Sequence, residues 1–329
     1  MIVLKVTLVP VLVGLLGAFV GLLYKGIDRK LAARMQSRVG PPLRQPFIDI
    51  KKLLLKENIV PEHGIPWLFN GAPLAGLAAV VTVLLYLPIG DIAPVLSGYG
   101  DLILILYLFT LPALAMVIGG LSSGAPYSIV GAQREMVMMV SYELPLAVTI
   151  VTFAWKLNSA VEGVNAFSPQ AIASNPLWSM VGPIGFVGAL ILLLVMVAVT
   201  PIELSKIPFD VAEAETEIAE GLLSEYSGRN LALFYITDAV KTVAMASLIV
   251  TLFFPYQIGG LLGLSGFVGS VVTVLFFLAK VFLVILAAVT IVRVAAARFK
   301  IDQVVYTFWI PLTLTSLSGL GLIVLDSIM

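Results

Sequence analysis

The feature that most constrains this chain is a succession of apolar runs, each about 20 residues long, that fills it from end to end. A run of that length matches the hydrocarbon thickness of a bilayer when coiled as a helix. Apolar windows predict eight spans, at about 2–25, 72–90, 101–121, 135–155, 181–202, 231–254, 268–292 and 304–325. The fold class expected is all-α: one polytopic transmembrane helix bundle over residues 1–329, with amphipathic segments on one side and no separate soluble domain. Hydrophobic residues at 60% and charged residues at 12% exclude an ordinary soluble protein of this length. The first run exceeds the apolar region of a signal peptide and is read as a retained span.

Lysine and arginine set the expected orientation. The segment between spans one and two carries Arg29, Lys30, Arg34, Arg38, Arg44, Lys51, Lys52 and Lys56. Loops at about 26–71, 122–134, 203–230 and 293–303 are therefore expected in the cytoplasm, with both termini outside and the protein in the cell membrane. The outside segments contribute only Lys5 and Lys156.

The chain has no cysteine and one histidine, His63, in a basic loop. It cannot supply thiolates for an iron-sulfur cluster, nor a two-histidine haem site. No metal or cofactor of its own is expected, and any redox chemistry belongs to a partner.

The stretch "PFDVAEAETEIAEGLLSEYSG", residues 208–228, concentrates Asp210, Glu213, Glu215, Glu217, Glu220 and Glu225 without a lysine or arginine. Asp210, Glu213, Glu217 and Glu220 recur at helical spacing, which predicts an amphipathic helix with one carboxylate face. Like charges so spaced repel, so some should hold protons or face cations. The basic segment on the same side could cover these acids, dock a soluble partner or bind lipid headgroups.

Ionisable groups inside spans are costly and point to function. Glu143 lies well into span four. Asp238 and Lys241 in span six are three residues apart and are expected to pair, and Lys280 sits in span seven. Arg134, Glu135, Glu203 and Lys206 fall at span edges, where snorkelling to the interface is the plainer reading. Together the carboxylates could line a polar path from the cytoplasmic face into the membrane. Two other readings remain open: a stand-alone secondary transporter with its ion site at Asp238 and Lys241, and a purely structural anchor.

The acidic stretch, with "LAARMQSRVGP", "AQREMVMMVSYE" and "ARFKIDQVVYTFW", resembles the eight-helix membrane subunit that joins the peripheral and membrane arms of respiratory complex I and of related membrane-bound nickel-iron hydrogenases. The matches occur in order along nearly the whole chain. The resemblance implies an ion-translocation path through Glu143, Glu203, Asp210, Glu213, Glu215, Glu217, Glu225 and Asp238, to which the charge pattern itself adds Glu220 and Lys241. It implies docking of the peripheral arm at Arg34 and Arg38, and Arg134 and Asp302 on the same side are further docking candidates. Expected partners are large and iron-sulfur redox subunits holding a nickel-iron centre and clusters, antiporter-like membrane subunits, ferredoxin as electron donor, and the lipid bilayer, but no nucleic acid. The short "RVGPPLRQP" and the run "AEAETEI" resemble the hydrogenase branch, leaving a sulfur- or quinone-reducing relative as the alternative.

Overall fold

The computed structural model describes residues 2–161, 163–259 and 266–329, with side chains from Leu8 onward. It holds eight helices long and apolar enough to cross a membrane. Span one is Ile2–Met35, span two Pro66–Tyr86, span three Leu102–Ser123, span four Pro126–Ala160 and span five Pro183–Glu203. Span six is Gly228–Phe253, and span seven runs from Gly266 to Ala295 and span eight from Ile301 to Ile328, each with a π-helical turn inside it. The chain is thus an all-α polytopic bundle, as its apolar pattern requires, and no strand is present among the described residues.

Local chemistry explains several boundaries. Pro66, Pro126 and Pro183 start spans two, four and five, at the position where a missing N–H costs nothing. Asp101 caps span three by accepting from the Leu104 N–H at 2.9 Å. Gly124 ends the same span with φ of 72°, a left-handed turn suited to glycine. The expected loop at 122–134 therefore shrinks to a two-residue connection, and span four begins nine residues earlier than its apolar window suggests. Span one likewise runs ten residues past its expected end.

Span six is the hub, with 83% of its most apolar stretch buried, against 22% for spans one and eight at the rim. Helices in lipid associate through close packing rather than hydrophobic expulsion, which favours small residues at contacts. A Cβ at Gly21 of span one would collide with the Ala239 carbonyl of span six, and one at Gly188 of span five would lie 2.7 Å from the Gly319 carbonyl of span eight. These glycines let the rim helices seat against their neighbours.

The acidic stretch is not the predicted amphipathic helix. It breaks into a 3₁₀ turn at Val211–Glu213, one α-turn at Glu215–Ile218 and a second 3₁₀ turn at Gly221–Leu223. Ala219, Glu220 and Gly221 all have positive φ, which ends any continuous helix. Burying Val211, Ala212, Ala214, Ile218 and Leu222 against the bundle wins over helical continuity, and the break separates like charges that a helix would stack.

Candidate functional site

At the end of the bundle that bears the basic loop, a cavity of about 310 Å³ opens between spans one, three, five, six and seven and the acidic loop. Five basic and six acidic side chains line it: Lys25, Arg29, Lys206, Lys241 and Arg293 against Asp28, Glu203, Asp210, Glu213, Glu215 and Asp238. Near-neutrality in so small a space makes its charge state sensitive to a single proton or ion.

Asp238 is the centre of this network. Its carboxylate accepts from Lys25 at 2.8 Å and from Lys206 at 2.5 and 2.6 Å. The expected Asp238–Lys241 pair does not form. Lys241 lies one turn further along span six and reaches span five instead, with its ammonium 2.8 Å from Glu203 Oε1 and donating to the Glu203 carbonyl at 2.6 Å. Pairing between helices satisfies both ions where pairing along span six would leave Lys25, Lys206 and Glu203 without partners.

Two residues read as snorkelling are buried: Glu135 and Glu203 are each 1% exposed. Because span four starts at Pro126, Glu135 lies more than two turns inside it, not at its edge. Ser205 Oγ approaches Glu135 Oε1 at 3.5 Å, while Glu135 Oε2, Glu203 Oε2 and the Tyr142 hydroxyl have no hydrogen-bond partner among the described residues. Polar groups left so inside a bundle are costly and mark a place for a proton, a cation or a change of partner. Glu143 lies two turns further along span four, half-buried and outside the cavity lining.

The acidic loop divides. Asp210, Glu213 and Glu215 face the cavity, whereas Glu217, Glu220 and Glu225 are exposed away from it. Arg298 forks onto the Asp210 carboxylate through Nε and Nη2 and also donates to Thr216 at 3.2 Å. This fork holds the Arg298 guanidinium charged, pushing its pKa further up. Burial, reinforced by the negative charge of Asp238, pushes the Glu213 carboxyl up to about 7, while Lys206 pulls the other way. Of the loop acids, Glu213 is thus poised to change charge near neutrality.

The docking candidates also separate. Arg34, Arg38 and Asp302 are exposed. Arg134 instead turns inward, donating to Glu217 at 2.5 Å and to the Val211 carbonyl at 3.2 Å, so it straps the acidic loop to span four.

Sequence reasoning missed Lys25, Asp28 and Arg293. Lys25 falls at the end of the expected first span, Arg293 reads as an orientation charge, and Asp28 stands at the head of a basic run. In the structure Asp28 accepts from Thr290 at 2.6 Å and Arg293 at 3.2 Å, joining span one to span seven beside the latter's π-turn. A signal for Glu135 was available in Pro126, whose place at the first helical position would have moved the start of span four.

Comparison with known proteins fits this architecture. The family model described as NADH dehydrogenase matches residues 6–324. The chain is 33% identical over 300 residues to Hydrogenase-4 component C of Escherichia coli (strain K12), covering 90% of this chain and 89% of that protein. It is 30% identical over 309 residues to a subunit of the NADH-quinone oxidoreductase of Dehalococcoides mccartyi, covering 90% of this chain and 80% of that protein. Its fold is similar to a chain in the structure of the membrane-bound sulfane sulfur reductase, an archaeal respiratory membrane complex, with a TM-score of 0.81, 29% identity and coverage of 95% of this chain and 97% of that one. The chain belongs to the NADH dehydrogenase family, as a multi-pass membrane subunit of a complex I-like or hydrogenase-type respiratory complex.

Proposed function

We propose that this chain joins the peripheral redox arm to the membrane arm of a ferredoxin-dependent hydrogenase-type complex, and couples electron transfer in its partners to proton or sodium translocation. The observation that carries this reading is the cavity centred on Asp238, where ion pairs from four elements meet under a loop of acids. In this reading the basic end faces the cytoplasm, both termini lie outside, and the protein sits in the cell membrane. Arg34, Arg38 and Asp302 meet the large and iron-sulfur subunits, which hold the nickel-iron centre and clusters, and antiporter-like subunits lie alongside in the membrane.

Turnover in a partner shifts charge near the acidic loop. Glu213, close to its midpoint at neutral pH, takes up or releases a proton. That change alters the field at Asp238 and so its sharing between Lys25 and Lys206. Glu203 and Lys241 lie next along the cavity wall, and Glu135 and Glu143 continue the series of carboxylates along span four. Around Asp238 and Glu203 the step is a partner exchange among groups already in contact, Lys25, Lys206 and Lys241, whereas Glu143 lies about 12 Å beyond Glu135 along span four and takes its proton through water. Glu217, Glu220 and Glu225 belong to the outer rim, where they attract cations rather than pass them inward.

Similarity to a sulfane sulfur reductase chain supports a second reading, in which the same subunit serves a complex that reduces a sulfur compound. The direct Asp238–Lys241 pair on which a stand-alone transporter rests is absent, so that reading has less support than an arm-joining role. The test is to tag the chain, extract it in mild detergent and assay the copurified complex for nickel, iron and hydrogen evolution from reduced ferredoxin. Nickel with hydrogen evolution is expected. Iron without nickel, and reduction of a sulfur compound, would move the chain to the second reading, and a chain that purifies alone and active would overturn both.

A further inference from the structure

Between spans one and two lies a short helix, Gln45–Leu54, that the coupling reading does not use. Its two faces differ. Pro46, Ile50 and Leu53 turn into the bundle, where Ile50 packs with Leu22, Ala232 and Ala239. Ile48, Lys51, Lys52 and Leu55 recur at i, i+3, i+4 and i+7, so they share the opposite, exposed face, with Leu55 80% exposed. Two lysines thus flank two uncovered aliphatic side chains, and Lys56 follows, also exposed.

The height of this helix is fixed by its contacts on span one. Span one exposes Leu8, Val11, Leu12, Leu15, Leu16 and Phe19, and nothing between Val20 and Ala33. Phe47 meets Phe19 with ring centroids 5.6 Å apart, while the approach to Gly26 at Leu43 and the Arg29–Asp49 pair at 3.2 Å tie the segment to the next turns. Residues 2–19 rise about 26 Å along a helix, close to the hydrocarbon thickness. The short helix therefore begins where the lipid-facing stripe ends. The docking candidate Arg34 lies about 12 Å beyond Gly26 along the same axis.

We propose that the exposed face of Gln45–Leu54 lies in the bilayer interface and binds anionic phospholipid headgroups. Ile48 and Leu55 enter the acyl boundary, and Lys51, Lys52 and Lys56 reach up to lipid phosphates. Asp49 does not offset these charges, since it is engaged by Arg29 and Gln45, and Glu57 is the one acid close by.

The test places the photo-crosslinking residue p-benzoylphenylalanine at Leu55 in the intact complex. The complex is held in nanodiscs of equal phosphatidylcholine and phosphatidylglycerol, and adducts are identified by mass. A lipid adduct enriched several-fold in phosphatidylglycerol is expected, falling toward an equal ratio in the K51Q/K52Q/K56Q variant. A wild-type adduct with no headgroup preference, a preference unchanged in the variant, or a crosslink to a protein subunit would overturn the proposal.

Discussion

The two ends of the bundle each bury an ion pair, and they do so differently. At the end away from the cavity, Lys156 and Asp326 join spans four and eight across 3.8 Å, both side chains 7% exposed. Ser327 accepts from Lys156 at 2.7 Å, and Asp326 accepts from the Gly182 N–H at the start of span five at 2.8 Å. Each ion has one set of partners, and a helix N-terminus supplies the balance. At the other end Asp238 is shared by two lysines, Glu203 lines the cavity, and Glu203, Glu135 and Tyr142 have atoms unpartnered among the described residues. The closed pair leaves neither charge without a partner, while the open network combines a shared carboxylate with atoms that have none. On the coupling proposal, that difference is what separates structural burial of charge from a site that moves it.

The largest effect is expected at Lys241. Replacing it with methionine leaves Glu203 buried and unpaired, which should cost about 3–5 kcal/mol and lower the melting temperature of the complex. Adding Glu203→Gln should recover much of that loss without restoring ion movement. If the double variant pumps normally, the network is not a path.

Smaller in stability but larger in meaning is Glu143→Gln. Assembly should persist while turnover stalls or runs uncoupled, read as ion uptake per electron pair in proteoliposomes. Wild-type uptake would remove Glu143 from the series. At the closed end, Asp326→Asn keeps the shape and loses the charge, so a stability loss of roughly 1–3 kcal/mol with an unchanged coupling ratio is expected. A changed ratio there would erase the contrast between the two ends.

Glu213→Gln sharpens the contrast through pH. A carboxyl raised to about 7 is favoured in its neutral form by the fold. Its contribution to stability is full below the ordinary glutamate range and is lost as pH rises to 7, because over that window the folded state still holds a proton the unfolded chain has released. The wild-type complex should therefore lose stability between about pH 4.5 and 7 relative to the variant, seen as converging melting curves at acid pH. The smallest effect is expected at Glu225→Gln, within about 0.5 kcal/mol on an exposed position and with coupling intact.

Much of this was legible from residue order, because bilayer thickness imposes a length on each helix and lysine marks one side. The eight spans and the gathering of Glu203, Asp210, Glu213 and Asp238 at one end follow from those two facts. What could not be read was which charges meet. Asp238 and Lys241 are neighbours on one helix, yet each finds its partner on another segment, up to 213 residues away in the case of Lys25. Nor could the acidic loop's break be seen, since it depends on where Val211, Ala214 and Leu222 find apolar neighbours. Local periodicity reports one helix at a time, and ion pairing across helices is set by their packing.

The most direct test of the coupling role is Asp238→Asn in the intact complex, reconstituted into proteoliposomes and assayed for electron transfer and ion uptake together. The account predicts electron transfer without ion uptake, because the shared anion between Lys25 and Lys206 is gone while the amide keeps its shape. Ion uptake per electron equal to that of the wild type would contradict it.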